Sequence, residues 1–425
     1  MARRLVYRFM PMKLEYLLAR RTAIEDRSSR SSVMMRIALF AVAIGLAVMI
    51  LSLAVIEGFR TEIYSTLRGF GADISLTHFT SLGYGEPQRV AYDEPLCNAI
   101  LSLEGVEAVG SYGEAGAMAK SGDNVVGLSL KGVGPEYPLE WWQSRLTEGA
   151  LPDVQSQTRR KEILLSEHTA RLLSLGVGDK IELLFMEEER PRRDRFKIAG
   201  LYSTGFEEID KVVALVDIRD LRWVASWGDV EITGYDILLD KGAATEHLKE
   251  QITQLCEASE SDDGWNLIPR TLQEREPITF DWLKAHNINA RVVVVILLCV
   301  LLFNMASAML IMVLDRRATI GLLKAQGMRD GAIRRIFLWR AAMLLLRGAL
   351  WGNAIGLAAV AVQKLWRVVE LDAEGYMLNY LPVEVDLWWV VTLNVGVAAV
   401  TMVMMILPSQ LISRINPVES LKYKQ

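Results

Sequence analysis

The run Val292–VVVILLCVLLFNMASAMLIMV–Leu314 carries no charge, and Asp315, Arg316 and Arg317 close it abruptly. A bilayer core of about 30 Å needs roughly 20 apolar residues in a helix, so the run is long enough to cross a membrane. Ala318 to Phe337 follows as an amphipathic segment, with Ile320, Leu322, Leu323, Ile333, Ile336 and Phe337 as apolar positions and Gly327 between two short helical halves. From Leu338 the chain turns apolar again. The stretch predicts a membrane helix, a compact basic turn and a second membrane helix. The turn is longer than a bare reversal needs, which predicts a helix that docks a partner on that side.

The same contrast recurs along the chain. The 425 residues are 51% hydrophobic and 23% charged, with a mean hydropathy of +0.22. The apolar residues gather in four blocks, Val33–Ile56, Val292–Leu314, Leu338–Ala361 and Leu387–Leu407. Between the first two blocks the composition is that of a soluble domain. The expected class is therefore a membrane protein with four transmembrane helices and a large mixed α/β domain between helices 1 and 2. The first block starts too late and runs too long for a signal peptide, so it predicts a retained anchor.

Charge sets the orientation. Arg3, Arg4, Arg8, Lys13, Arg20, Arg21, Arg27, Arg30 and Arg36 precede or open the first block, and Arg316, Arg317, Lys324, Arg329, Arg334, Arg335 and Arg340 follow the second. The 367–386 loop is acidic, with Glu370, Asp372, Glu374, Glu384 and Asp386. Positive residues mark cytoplasmic loops. The N-terminus, middle turn and C-terminus are then cytoplasmic, with the large domain and the 367–386 loop on the far side. The expected division is as follows. An amphipathic surface helix spans 1–32, and helix 1 spans 33–57 with an extension to about 68. The α/β domain spans 69–277, a stalk and helix 2 span 278–314, and the coupling segment spans 315–337. Helix 3 is 338–366, a loop is 367–386, helix 4 is 387–407, and the tail is 408–425.

Inside the domain the pattern alternates short strands and helices, which argues for α/β or α+β. Strands are expected at 74–76, 106–118, 125–133, 163–165, 181–186, 196–202, 212–216, 235–239 and 265–268. Helices are expected at 91–103, 218–227 and 243–256, with one capped by Ser166. Gly69 and Gly71 are expected to break the extension of helix 1, and 187–195 reads as a solvated hairpin tip. Gly348, Gly352 and Gly356 recur every fourth residue and predict close helix packing. Arg347 lies about 10 Å along a helix from Arg340, which lets it snorkel to the headgroups. Asn304 and Ser307 are mid-span hydrogen-bonding groups.

Residues that carry chemistry are sparse. His78, His168, His247 and His286 are scattered, and no HExxH, GxSxG, GxxxxGK[ST] or dinucleotide motif occurs. No catalytic residue, metal site, bound cofactor or nucleic-acid surface is expected. Cys97 and Cys256 share the exported domain without a diagnostic spacing, which leaves pairing open.

Several motifs carry a resemblance. They are Ile44-Gly-Leu-Ala-Val-Met-Ile-Leu-Ser-Leu-Ala-Val-Ile-Glu-Gly-Phe59, Lys131-Gly-Val-Gly-Pro-Glu136, Leu175-Gly-Val-Gly-Asp-Lys-Ile181 and Gly200-Leu-Tyr-Ser-Thr-Gly-Phe206 with Ile209 and Asp210. Arg316–Phe337, Leu381-Pro-Val-Glu384 and Ile415-Asn-Pro-Val-Glu-Ser-Leu421 complete the set. The chain resembles, over nearly its full length, permease subunits of the lipoprotein-releasing ABC transporter of Gram-negative bacteria (LolC/LolE type). That group sits within the FtsX/MacB-like permease superfamily.

The resemblance implies a MacB-like type VII ABC permease in the bacterial inner membrane, its large domain in the periplasm. Implied partners are a cytoplasmic ABC ATPase dimer, which uses ATP and Mg, a second permease, lipoproteins and a periplasmic lipoprotein carrier. Arg316, Arg317, Ile320, Leu323, Lys324, Gly327, Arg334 and Arg335 are the expected coupling residues. Thr319 stands where relatives carry an acid. Phe59, Ile63, Leu67 and Trp282 are the expected surface by which substrate enters. Met186 to Asp194 is a candidate hook for the carrier. The alternatives are an exporter of drugs, peptides or toxins, a mechanotransmitting permease that regulates a periplasmic cell-wall hydrolase, and a membrane-anchored enzyme.

Overall fold

The computed structural model of the chain describes residues 30–82, 88–122, 124–156, 158–185, 192–258, 267–371 and 378–414. Most of the expected surface helix at 1–32, the 186–191 part of the candidate hook and the 415–421 motif lie outside the described residues. The chain divides into two compact units. The first comprises Met1–Arg60, Leu283–Val369 and Leu381–Gln425, and the second comprises Thr61–Trp282 and Glu370–Tyr380.

Helix α1 (Arg30–Gly71), the first described element, is continuous. Gly69 does not break it. A side chain there would overlap the Trp141 ring, so glycine admits the indole against the helix. The described residues of the second unit hold twelve strands: β1 (Ile74–His78), β2 (Val90–Ala91), β3 (Val106–Ser121), β4 (Asn124–Val133), β5 (Leu146–Gly149), β6 (Glu162–Ser166), β7 (Lys180–Phe185), β8 (Arg192–Tyr202), β9 (Val213–Asp217), β10 (Glu231–Ile232), β11 (Gly234–Leu239) and β12 (Leu267–Thr271). Helices α2 (Glu94–Leu101), α3 (Glu140–Ser144), α4 (Glu167–Leu173), α5 (Glu207–Val212), α6 (Ile218–Val224), α7 (Thr245–Ala258) and α8 (Leu272–Arg275) are interleaved. Sequence periodicity missed α3 and α5, which are too short to show a helical period. Arg192–Arg195 are paired strand residues against β7 rather than part of a solvated tip.

The long strand β3 belongs to two cores. Its first half pairs antiparallel with β11, which leads through β1 to β12 at the edge. Its second half pairs with β4 and with β7. Since β4 pairs β9, β9 pairs β6, β6 pairs β8 and β8 pairs β7, six strands close into a ring. Alternation puts Ala117, Ala119, Leu128, Leu130, Ile181 and Leu183 among the ring's buried core residues. The second core lies under the β12–β1–β11 side, where Ile74, Leu76, Tyr235 and Ile237 meet Leu96, Ile100, Leu248 and Ile252. Cys97 and Cys256 sit in that core as free thiols, so the open question of a disulfide is answered without one. Burial pushes the Cys256 thiol up to about 12.

The remaining helices are α9 (Pro277–Asp315), α10 (Arg317–Ala325), α11 (Asp330–Trp366) and α12 (Leu387–Met404). Among the described residues, four helical segments, beginning at Met35, Pro277, Asp330 and Leu387, are long and apolar enough to cross a membrane. Their common core draws Val42, Leu46 and Met49 from α1, Leu301, Met305 and Met309 from α9, Leu344 from α11 and Val397 from α12. The spacing 301, 305, 309 is one helix face. Val292, Val295, Val300 and Phe303 on the other faces of α9 are exposed, as a lipid-facing surface requires. Helix α11 begins at Asp330, eight residues before the hydropathy rises. The second half of the expected coupling segment is therefore the first turns of a membrane helix, not a separate piece. Helix α12 stops at Met404, and a short turn of helix at Ile406–Ser409 replaces its expected last residues.

Candidate functional site at the ends of the membrane helices

The turn after α9 is built on α10. Its C-terminus is sealed by two hydrogen bonds: Gly327 N–H donates to the Lys324 carbonyl at 2.9 Å, and Met328 N–H to the Leu323 carbonyl at 3.0 Å. This is a Schellman closure, and it requires a left-handed residue. Gly327 supplies it with φ +85°. Lys324 Nζ lies 3.1 Å from Asp330 Oδ1 and donates to the Ser413 carbonyl at 3.4 Å. Arg334 donates to the Ser413 hydroxyl. Asp330, in the first turn of α11, also suits the positive end of that helix.

The eight expected coupling residues therefore divide. Ile320 is fully buried with Ile333 and Phe337, and Leu323 packs against the same cluster. These two fasten α10 to the membrane unit and do not face outward. Lys324 and Arg334 hold the turn together. Arg317, Gly327 and Arg335 are exposed, and Arg316 is half-buried. The outward stripe is Thr319, Leu322, Ala325 and Gln326, all exposed, with Leu322 at 50%. Of this stripe, the sequence singles out Thr319 and Leu322 but not Ala325 or Gln326. The signal was present, since Ile320 and Leu323 at i, i+3 claim one face and leave Leu322 on the opposite side.

Within the membrane unit, three glycines of α11 meet α1. A Cβ on Gly348 would lie 2.6 Å from Val42 Cγ1, one on Gly352 2.8 Å from the Ala43 carbonyl oxygen, and one on Gly356 3.2 Å from Ala47 Cα. The backbones approach as closely as the missing side chains permit. Asn353 and Asn394 exchange amide hydrogen bonds at 2.8 and 2.9 Å between α11 and α12. Ser307 bonds its own helix, donating to the Phe303 carbonyl. Further along α1, a Cβ on Gly58 would strike the Pro382 carbonyl at 2.5 Å. The Glu384 N–H donates to the Ala54 carbonyl at 2.9 Å. Gln363, buried at the end of α11, bonds Val369 through both its carbonyl and amide groups and donates to the Leu381 carbonyl. That clips the two feet of the 367–386 loop together.

In the second unit the C-terminus of α1 ends in charge. Lys131 Nζ donates to the Phe70 carbonyl and to Asp236 Oδ2. Arg275 donates to the Gly71 carbonyl at 2.6 Å and lies 3.9 Å from Asp236 Oδ1. Two cations thus satisfy the final carbonyls of a 42-residue helix, where the helix dipole favours positive charge. Tyr137 donates to Asp236 Oδ2 at 2.8 Å. Phe70, Tyr112 and Tyr137 surround the Lys131 ammonium with ring faces at 4.9 to 5.1 Å. Burial pushes the Lys131 amine below its usual range, against the pull of Asp236. Close by, Arg68 reaches Asp73 at 2.7 Å and the Leu239 carbonyl at 2.7 Å.

The expected surface for substrate is not free. Phe59, Ile63 and Leu67 are 8%, 0% and 5% exposed, and Trp282 is half-buried. Their helical spacing marks a face that packs within the chain. Among the described residues, no group of three or more His, Cys, Asp or Glu side chains is placed to hold a metal ion.

Comparison with known proteins assigns this architecture. The family profile described as MacB-like periplasmic core domain matches residues 36–255, and that described as FtsX-like permease C-terminal matches residues 291–417. The chain belongs to the MacB/FtsX-like permease family. This permease is similar to the lipoprotein-releasing system transmembrane protein LolC of Xylella fastidiosa, at 23% identity over 97% of this chain and 98% of that protein. LolC of Neisseria meningitidis serogroup B matches at 22% over 97% and 98%. LolE of Haemophilus influenzae matches at 20% over 89% and 92%. The permease is a multi-pass inner-membrane protein, and its second unit is the large periplasmic domain. Its function is that of an ABC permease of this superfamily, which implies an ABC ATPase partner.

The motifs quoted from the sequence now have physical content in this permease. The 44–59 and 381–384 motifs touch at Gly58. Lys131 opens the 131–136 motif and closes α1. In the 175–181 motif, Gly176 N–H donates to Asp179 Oδ2 at 2.8 Å to form the turn before β7. Asp210, buried, accepts from Thr204 N–H, Thr204 Oγ1 and Gly205 N–H, which fixes the 200–206 loop.

Proposed function

We propose that this chain is a permease subunit of an ATP-driven transporter that extracts lipoproteins from the outer leaflet of the inner membrane and passes them to a periplasmic carrier. The observation that carries the reading is full-length similarity to relatives named for lipoprotein release. A second permease, either a copy of this chain or a paralogue, completes the membrane part. The outward stripe of α10, with Arg317 and Arg335, receives the ATPase, and Thr319 presents a hydroxyl there in place of an acid. Because Ile320, Leu323 and Lys324 tie α10 to α11 and to Ser413, beyond the end of α12, a push on Leu322 is carried into the helices. The chain contributes no catalytic residue. ATP and Mg are handled by the ATPase.

The match to the FtsX-like C-terminal family supports a second reading, a permease that transmits ATP-driven motion to a periplasmic cell-wall hydrolase without moving cargo. Purification with the ATPase in native lipid separates the two. Acylated proteins that leave the complex on ATP addition, only with a periplasmic carrier present, are the expected result. A complex free of acylated protein that instead retains a hydrolase overturns it. Gly327→Pro removes the N–H given to Lys324 and forbids the positive φ, so ATPase binding and export are expected to fall while membrane insertion is kept.

A further inference from the structure

Three spans change from apolar to charged at one pocket of the membrane unit. Glu57 and Arg60 follow the apolar part of α1, Arg291 precedes that of α9, and Glu384 and Asp386 precede α12. All five line a cavity of about 310 Å³. Ile50, Leu53, Ala54, Val390 and Leu393 form its apolar wall, and Trp389 stands at the level where aromatic residues meet the headgroups. The cavity therefore straddles the outer-leaflet boundary, charged on one side and apolar on the other. Its volume is at the lower end of small-molecule sites, enough for a headgroup and the start of a chain.

The charges are of both signs and are incompletely paired. Arg60 lies 3.7 Å from Glu57 and stays largely exposed. Asp386 Oδ1 caps α12 by accepting from Trp388 N–H at 2.9 Å. Among the described residues, the side chains of Arg291 and Glu384 make no ion pair or hydrogen bond, though both face this cavity. A guanidinium recognises phosphate through forked hydrogen bonds. A carboxylate accepts from a primary ammonium.

We propose that this pocket binds a zwitterionic phospholipid with a phosphoethanolamine headgroup. Arg60 and Arg291 hold the phosphate, Glu384 and Glu57 receive the ammonium, and one acyl chain lies along Leu53, Ala54, Val390 and Leu393. A trimethylammonium headgroup has no N–H to give the carboxylates, and a glycerol headgroup has no cation, so both are disfavoured. The site does not depend on lipoprotein as the cargo.

The full chain, reconstituted in nanodiscs of equal parts phosphatidylethanolamine, phosphatidylglycerol and phosphatidylcholine and then stripped with detergent, tests this by native mass spectrometry. Retained phosphatidylethanolamine is expected to exceed the other two. Arg291→Gln and Glu384→Gln are each expected to lower it about tenfold, which corresponds to about 1.4 kcal/mol. Leu393→Trp fills the apolar wall while leaving every charge in place, and it is expected to give the same loss should a charge variant fail to fold. Soluble phosphoethanolamine at equal concentration is expected to displace nothing. Equal retention of the three lipids, wild-type retention in the folded variants, or displacement by the soluble headgroup would each overturn the assignment.

Discussion

The two units of this permease hold themselves together by different means. The periplasmic unit closes around buried charge: Lys131 and Asp236 are 5% and 1% exposed and bonded to each other. The membrane unit instead closes by close approach, with glycines of α11 against the α1 backbone and one reciprocal amide pair. Lipid tails are as apolar as leucine, so helices gain little from hydrophobic burial there and rely on contact and a few hydrogen bonds. A charge network fixes one geometry and fails when a member is lost. A smooth glycine face tolerates small displacements at little cost. The difference assigns rigidity to the root of α1 and compliance to the α1–α11 contact.

Removing one member of the charge network is the strongest test. Lys131→Met leaves buried Asp236 without its directly bonded cation, with only Arg275 at 3.9 Å, and is expected to cost about 3–5 kcal/mol, read as the urea midpoint of the full chain in detergent. The double change Lys131→Met with Asp236→Leu is expected to recover much of that loss. A full additive loss would mean that the pair is not the unit. On the membrane side, Gly352→Ala sets a methyl against the Ala43 carbonyl, and overpacking of this kind costs about 1–3 kcal/mol. Thermal unfolding in detergent measures it, and a neutral outcome would mean that α11 shifts freely along α1. Gly327→Ala forces an L-residue into a left-handed turn at about 1–2 kcal/mol. Faster hydrogen exchange of the amides at position 327 and at Met328 alone is the expected signature. Asn353→Leu is expected to cost only about 0.6–2 kcal/mol, seen as a small drop in detergent resistance.

The thiols give the smallest effect and a clean contrast. With its pKa at about 12, Cys256 is about one part in ten thousand thiolate at pH 8. Maleimide labelling of the folded chain is expected to spare Cys256 and Cys97 until denaturant is added. Prompt labelling of either would show that the second core opens locally.

Much of this organisation was legible in the residues. The uncharged run before Asp315 announces a spanning helix because a charge at that depth is costly, and the glycines at 348, 352 and 356 announce a face. Hydropathy failed where it reports solvent and not backbone: α11 starts at Asp330, well before the chain turns apolar. The ring of strands was invisible because pairing β7 with β3 joins residues more than sixty positions apart. The root of α1 was hidden for the same reason. Lys131, Asp236 and Arg275 carry no shared spacing, and only the fold brings them to one helix end. Family resemblance names Ile320 and Leu323 as coupling residues, and their i, i+3 spacing turns them inward, where they fasten α10 instead.

The short ribbon that leaves the membrane unit after Val369 has a practical consequence. Leu378 pairs with Phe206, and both are buried, so Leu378 covers part of the edge of the periplasmic domain. A soluble fragment cut at Thr61 and Trp282 would omit that strip and bare an aromatic ring beside an unpaired backbone edge, an invitation to self-association. Supplying 370–380 as a separate peptide should return such a fragment to a monomer in ultracentrifugation.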